Sequence, residues 1–169
     1  MLFGRKKSAP EVVSEGRFVI KRLTDTEGIR ASLQLAEDVF MQFEAPDFPP
    51  RGVESFKSFL WGKRVREMLE DGSFVVWGCY CGEQLVGMLA MRDSNHISLL
   101  FVMGDFHRQG IGRMLYAQAK KYAALHLKRK ITVNASPYGL PFYRAMGFKV
   151  TDMENVIDGV RSTPMEVKI

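Results

Sequence analysis

Apolar and polar side chains alternate along residues 17–23, the period of a strand. Thr24, Asp25, Thr26 and Glu27 then supply cap-type residues ahead of Ile29, Leu33, Ala36 and Phe40, which are spaced for one face of a helix. Three prolines within residues 45–50 predict a stiff loop, and a second helix is predicted over residues 53–69. Residues 73–81 and 84–91 are rich in strand formers and are joined by Cys81, Gly82 and Glu83, which predicts a hairpin. Residues 97–103 are almost continuously apolar, as expected of a central strand buried on both faces.

Beyond Gly112 the period changes to that of a helix, carried by Ile111, Met114, Leu115, Tyr122 and Leu125, with several alanines adding propensity. A short strand over residues 130–135 follows, then a short helix over 137–146. Gly147 is a plausible helix stop before a strand over 148–151. Asp158 and Gly159 turn the chain into a last strand, 161–169, which Pro164 is expected to break. This order describes a single α/β (α+β) domain over residues 17–169, a mixed central β-sheet with helices on both faces. Residues 1–16, with Arg5, Lys6 and Lys7 but no following apolar run, are expected to be a flexible tail rather than a secretory signal.

Composition narrows the function classes. A chain of 169 residues with 46% apolar and 25% charged side chains can bury a core, which argues against a disordered or fibrous protein. Its apolar runs are strand-sized, so no membrane span and no membrane partner are expected, and a cytoplasmic location is. Cys79 and Cys81 lie two apart in a strand and share a face, the arrangement of core thiols; His96, His107 and His126 show no ligand spacing, so no metal is expected. The net charge of +5 points to an anionic partner. Much of the excess sits in and after one predicted helix, with no nucleic-acid motif, so a phosphorylated small molecule fits better than nucleic acid.

The segment from Leu100 to Arg113 places a buried strand, a loop with Gly110 and Gly112, and a long helix in immediate succession. Free backbone N–H groups converge there at the positive end of a helix dipole, and the glycines keep Cβ atoms away from an incoming anion. A dinucleotide fingerprint would need a third glycine where Leu115 stands, and a P-loop would need Gly-Lys-Ser/Thr, which never occurs. The segment resembles motif A of the GCN5-related N-acetyltransferase (GNAT) superfamily, with His107 at its Arg/Gln position and Gly104 where many members have proline. Residues 133–148 resemble the family's later motif, most recognisably Phe142-Tyr143 through Gly147-Phe148.

The resemblance implies that acetyl-CoA is the cosubstrate and that an amine attacks the thioester directly, with no cysteine nucleophile. It implies a pyrophosphate site at His107, Arg108, Gln109, Gly110, Ile111, Gly112 and Arg113. Pantetheine would pair with the backbone near Phe101, Val102 and Met103, with Asn134 and Ser136 as further contacts. A backbone N–H near Val102 would stabilise the oxyanion, and Tyr143 would be the general acid. Glu44, Asp47 and Asp93 are candidate bases, none favoured by the sequence. Residues 43–50, aromatic and acidic, are expected to wall the acceptor site, with Glu44 and Asp47 binding a small-molecule or peptide amine. A non-catalytic acyl-CoA sensor or interaction module is the alternative. Homodimers are common in families of this type, though no residue marks an interface.

Overall fold

The computed structural model describes residues 12–169. Its sheet has nine strands: β1 (Val12–Glu15), β2 (Phe18–Leu23), β3 (Phe74–Cys81), β4 (Gln84–Arg92), β5 (His96–Val102), β6 (Lys130–Ala135), β7 (Lys149–Val150), β8 (Asn155–Ile157) and β9 (Val160–Lys168). The order is β1-β2-β3-β4-β5-β6-β9-β7, with β8 also paired to β9. Every pairing is antiparallel except β5 with β6. The helices are α1 (Thr26–Phe43), α2 (Pro50–Trp61), α3 (Lys63–Asp71), α4 (Ile111–Leu125) and α5 (Leu140–Ala145).

The two faces of the sheet carry separate cores, as the expectation of helices on both sides requires. On one face Ile111, Leu115, Ala119 and Ala123 of α4 pack with Val86, Leu89 and Met91 of β4. On the other, Leu33, Ala36 and Val39 of α1 pack with Leu60, Val65 and the intervening β4 residues Met88 and Ala90. Asp25 caps α1 by accepting the Gly28 N–H at 2.8 Å, and the i, i+3, i+4 stripe behind it faces the sheet. Cys79 and Cys81 are free thiols on the same face, and burial pushes the Cys79 thiol up to about 11.

Several expectations are corrected. The single helix over 53–69 is two, because the chain is extended at Gly62 between α2 and α3. Part of the expected tail, Val12–Glu15, pairs with β2 as an edge strand; residues 1–11 of that tail lie outside the described residues. The strands buried on both faces are β3 and β4, whereas β5 is only partly covered because one of its sides opens onto a cleft. Pro164 does not break β9. Its carbonyl accepts the Thr151 N–H at 3.0 Å, so the missing N–H falls on the same side, just past the two-residue β7. The hairpin of β8 with β9 was not anticipated. Among the described residues no helix is long and apolar enough to cross a membrane.

β5 and β6 are joined by only two rungs, His96 with Thr132 and Ile97 with Val133. His96 reinforces them, its Nδ1 lying 2.8 Å from Thr132 Oγ1. Burial first, then the Arg92 guanidinium, lower its pKa to about 4, against a weaker opposite pull from Asp93. The unfolded chain protonates this imidazole near pH 6.5. Its contribution to stability is therefore complete above pH 6.5 and lost as pH falls towards 4. Thermal melts should show a midpoint falling across that interval, and His96→Gln should flatten the fall. Glu44, whose pKa is raised, acts in the opposite direction in both proteins.

Candidate active site

The cleft follows from the way β5 leaves β6. After the second rung a bulge at Ser98 shifts the β4–β5 register, since Met91 opposes Ile97 while Ala90 opposes Leu99. Met103 donates its N–H to the Val86 carbonyl at 2.9 Å, which makes Gly87 and Val102 a non-hydrogen-bonded pair. By the alternation of the ladder the same holds for Leu89 and Leu100, while Phe101 exchanges both bonds with Met88. The N–H and C=O groups of Leu100 and Val102 therefore face the gap where β6 has diverged. Of the residues expected to offer backbone bonds there, Phe101 directs its groups to β4, and Met103 directs its N–H to β4 and its carbonyl to the Phe106 N–H. Leu100 was missed by sequence reasoning, although period-two alternation from Val102 points to it.

The space between the splayed strands is a cleft of about 860 Å³ that reaches from the N-terminus of α4 to the C-terminal end of α1. Gly110, at φ +83°, is the residue before α4, a backbone conformation that side chains disfavour. No side chain caps this helix end, and the first intrahelical bond is Met114 N–H to the Gly110 carbonyl. The N–H groups of Ile111, Gly112 and Arg113 are left for a ligand. Arg108 and Arg113 also line the cleft. Gly112, which also lines the cleft, is under a further constraint: a Cβ there would lie 2.9 Å from the Phe142 ring, so its smallness lets α5 approach α4.

The remaining cradle residues separate. His107 Nε2 lies 2.6 Å from the Val102 carbonyl, which can only accept, so Nε2 carries the proton. Its ring also packs 4.9 Å from that of Phe43. His107 thus ties the loop to the end of β5, the role its departure from the motif had left open. Gln109 lies outside the cleft lining, bonded to Arg17 and to the Asp105 carbonyl. Met103 is likewise outside it.

Tyr143, on α5, is buried against Phe142 and Phe148, with ring centroids 5.2 Å away in both cases, and still borders the cleft. Burial, and secondarily the Glu44 carboxylate, hold its phenol far above the usual range. Glu44, at the C-cap of α1, is 8% exposed and borders the cleft too. Burial raises its pKa, partly offset by a hydrogen bond from Ser136. The Ser136 hydroxyl also accepts the Gly139 N–H at 3.0 Å, holding the loop before α5. Asn134 lines the same wall.

Three candidate carboxylates are thereby sorted. Glu44 shares the cleft with Tyr143, whereas Asp47 is exposed outside the lining, in a single 3₁₀ turn where a loop was expected. Asp93 lies in the turn before β5, paired to Arg92 at 2.9 Å and outside the lining. Ser98, which sequence reasoning passed over, borders the cleft and has a buried hydroxyl with no hydrogen-bond partner among the described residues. No signal in the sequence marks it, because the bulge that isolates it depends on pairing with β4. Among the described residues no group of three His, Cys, Asp or Glu side chains could share a metal ion.

Comparison with known proteins bears on this geometry. The family model for the acetyltransferase (GNAT) domain matches residues 44–169. The chain belongs to the GNAT acetyltransferase family. None of the curated proteins matches it. Among solved structures, a GCN5-related N-acetyltransferase from Rhodopseudomonas palustris superposes with a TM-score of 0.78 at 18% identity, covering 93% of this chain and 99% of that one. The PaiA N-acetyltransferase from Thermoplasma acidophilum, in complex with coenzyme A, gives 0.73 at 18% identity, covering 90% and 99%. The ribosomal-protein-S18-alanine N-acetyltransferase from Escherichia coli gives 0.64 at 14%, covering 90% and 94%. At these identities the likeness is one of fold.

The GNAT fold and the uncapped end of α4 yield a direct test. Gly110→Val forces a β-branched side chain into a left-handed conformation and turns the amides away. Calorimetric titration with coenzyme A should show affinity reduced roughly tenfold or more, the scale of one lost charge-assisted hydrogen bond. The circular dichroism spectrum should be retained.

Proposed function

We propose that this GNAT protein transfers the acetyl group of acetyl-CoA directly to the nitrogen of an amine, with Tyr143 as general acid and Glu44 as proton acceptor. The observation that carries this reading is the placement of a buried phenol and a buried carboxylate in the same cleft as the free amides of β5 and α4. The coenzyme A bound by the PaiA structure, on the same fold, supports acetyl-CoA as cosubstrate.

Each group has a task suited to its environment. The amides of Ile111, Gly112 and Arg113, with Arg108 and Arg113, hold the pyrophosphate, while Asn134 and the gap-facing groups of Leu100 and Val102 hold the pantetheine arm. Glu44, made more basic by burial, takes a proton from the amine, directly or through one water. As the amine nitrogen bonds to the acetyl carbon, the Val102 N–H stabilises the charge developing on the carbonyl oxygen, a donor of a kind worth ~3 kcal/mol. Tyr143 gives its proton to the sulfur as the carbon–sulfur bond breaks; its raised pKa keeps it protonated through neutral pH and beyond. Asp47 and Asp93 have no part in this scheme.

Tyr143→Phe removes one oxygen and keeps the packing. With an accepted amine, kcat should fall about 10²-fold or more while coenzyme A affinity is unchanged. Unchanged turnover would remove the role. In the parent protein the rate should not decline as pH passes 10, where an ordinary phenol ionises. On the acid side it should fall through an apparent pKa above 4.5, and Glu44→Gln should abolish that limb.

A further inference from the structure

The acceptor end of the cleft has a composition that restricts what can fill it. Phe40 stands one helical turn before Glu44, so both point the same way from α1. Around them the rings form a continuous chain: Phe48 stacks on Phe40 at 5.7 Å, Phe40 on Phe56 at 3.9 Å, and Phe56 meets Phe101 edge-on at 5.7 Å. All four rings border the cleft, and Glu44 is its lone carboxylate among the described residues. The other charged residues of the lining are Arg108, Arg113 and Arg161.

This end is also closed on one side. The first turn of α2 lies against the turn joining β8 to β9 so closely that a Cβ on Gly52 would fall 2.3 Å from the Gly159 carbonyl oxygen, and one on Gly159 would fall 2.6 Å from the Gly52 nitrogen. Ser55 Oγ donates to the Asp158 carbonyl at 2.8 Å, and Arg51 pairs with the Asp158 carboxylate at 2.8 Å. No acceptor chain can pass between α2 and that turn.

We propose that the acceptor is a compact monoamine, a single primary ammonium carried on an apolar, preferably aromatic, body. The proposal rests on the acetyl-transfer reading of the same cleft. Glu44 receives the ammonium, and the phenylalanine rings receive the body and add cation–π attraction to the charge. A polyamine would bring a second ammonium to a lining that has no second carboxylate and whose one charged residue away from the pyrophosphate end, besides Glu44, is Arg161. A peptide terminus would bury amide groups against phenylalanine rings that offer no hydrogen bond, which disfavours it.

The test uses the full chain saturated with coenzyme A, titrated calorimetrically with 2-phenylethylamine, spermidine and an alanyl tripeptide, alongside thiol release from acetyl-CoA with each. 2-Phenylethylamine should bind, and turn over in kcat/KM, at least about tenfold better than the other two. Phe48→Ala and Phe56→Ala should each weaken it about tenfold without altering the coenzyme A affinity that reports an intact fold. Equal or tighter binding of spermidine or the tripeptide overturns the proposal and leaves acetyl transfer standing. Phenylethylamine binding that depends on Phe48 and Phe56 but yields no thiol overturns acetyl transfer and leaves the monoamine pocket standing.

Discussion

A buried backbone amide or carbonyl must find a partner, and where β5 leaves β6 the sheet no longer supplies one. Two parallel rungs hold the strands together at His96 and Ile97; the bulge at Ser98 then turns β5 away. The polar groups of Leu100 and Val102 are left facing a gap, and only the Val102 carbonyl finds a protein partner among those observed, in His107. The gap cannot close without breaking the ladder to β4. An extended, amide-bearing ligand can supply what a tenth strand would have supplied, and the pantetheine arm of coenzyme A has that character.

The same divergence places chemistry at the two ends of the gap. At one end the chain passes from β5 through the Gly110 turn into α4, so the helix presents unpaired N–H groups to an anion. At the other, α1 ends at Glu44 and α5 carries Tyr143, two elements far apart in sequence that meet across the cleft. Burial perturbs both side chains, and Glu44 perturbs Tyr143 in addition. The carboxylate helps keep the phenol protonated, while burial makes the carboxylate more basic than it would be in water. A phenol held protonated and a carboxylate made more basic are the acid and the base that the proposed acyl transfer to an amine would use.

Local periodicity and turn chemistry were enough for most elements. The Asp25 cap, the hairpin of β3 with β4 and the stripe of α4 all depend on residues within a few positions of one another, so the sequence already holds their cause. Pro164 misled because the harm a proline does depends on which side of the strand its nitrogen faces, a matter of neighbours rather than of sequence. The apolar run of β5 suggested complete burial, yet its exposure reflects the departure of β6. Gly62 divides a helical pattern whose periodicity alone shows no interruption.

At the site, the glycine pair and the Phe142-to-Phe148 segment were legible because motif residues act through their own backbone or their immediate neighbours. The sequence by itself determined an α/β domain of the GNAT kind, with a long helix entered from a glycine turn and a tyrosine carried on a short helix. Only the tertiary structure decided which of three carboxylates enters the cleft, that Leu100 rather than Phe101 or Met103 turns its backbone into the gap, and that Gln109 faces away. It also assembled four phenylalanines from two helices, a loop and a strand around Glu44. Those outcomes depend on register, on a bulge and on contacts between segments distant along the chain, and none of these is encoded in any local stretch of residues.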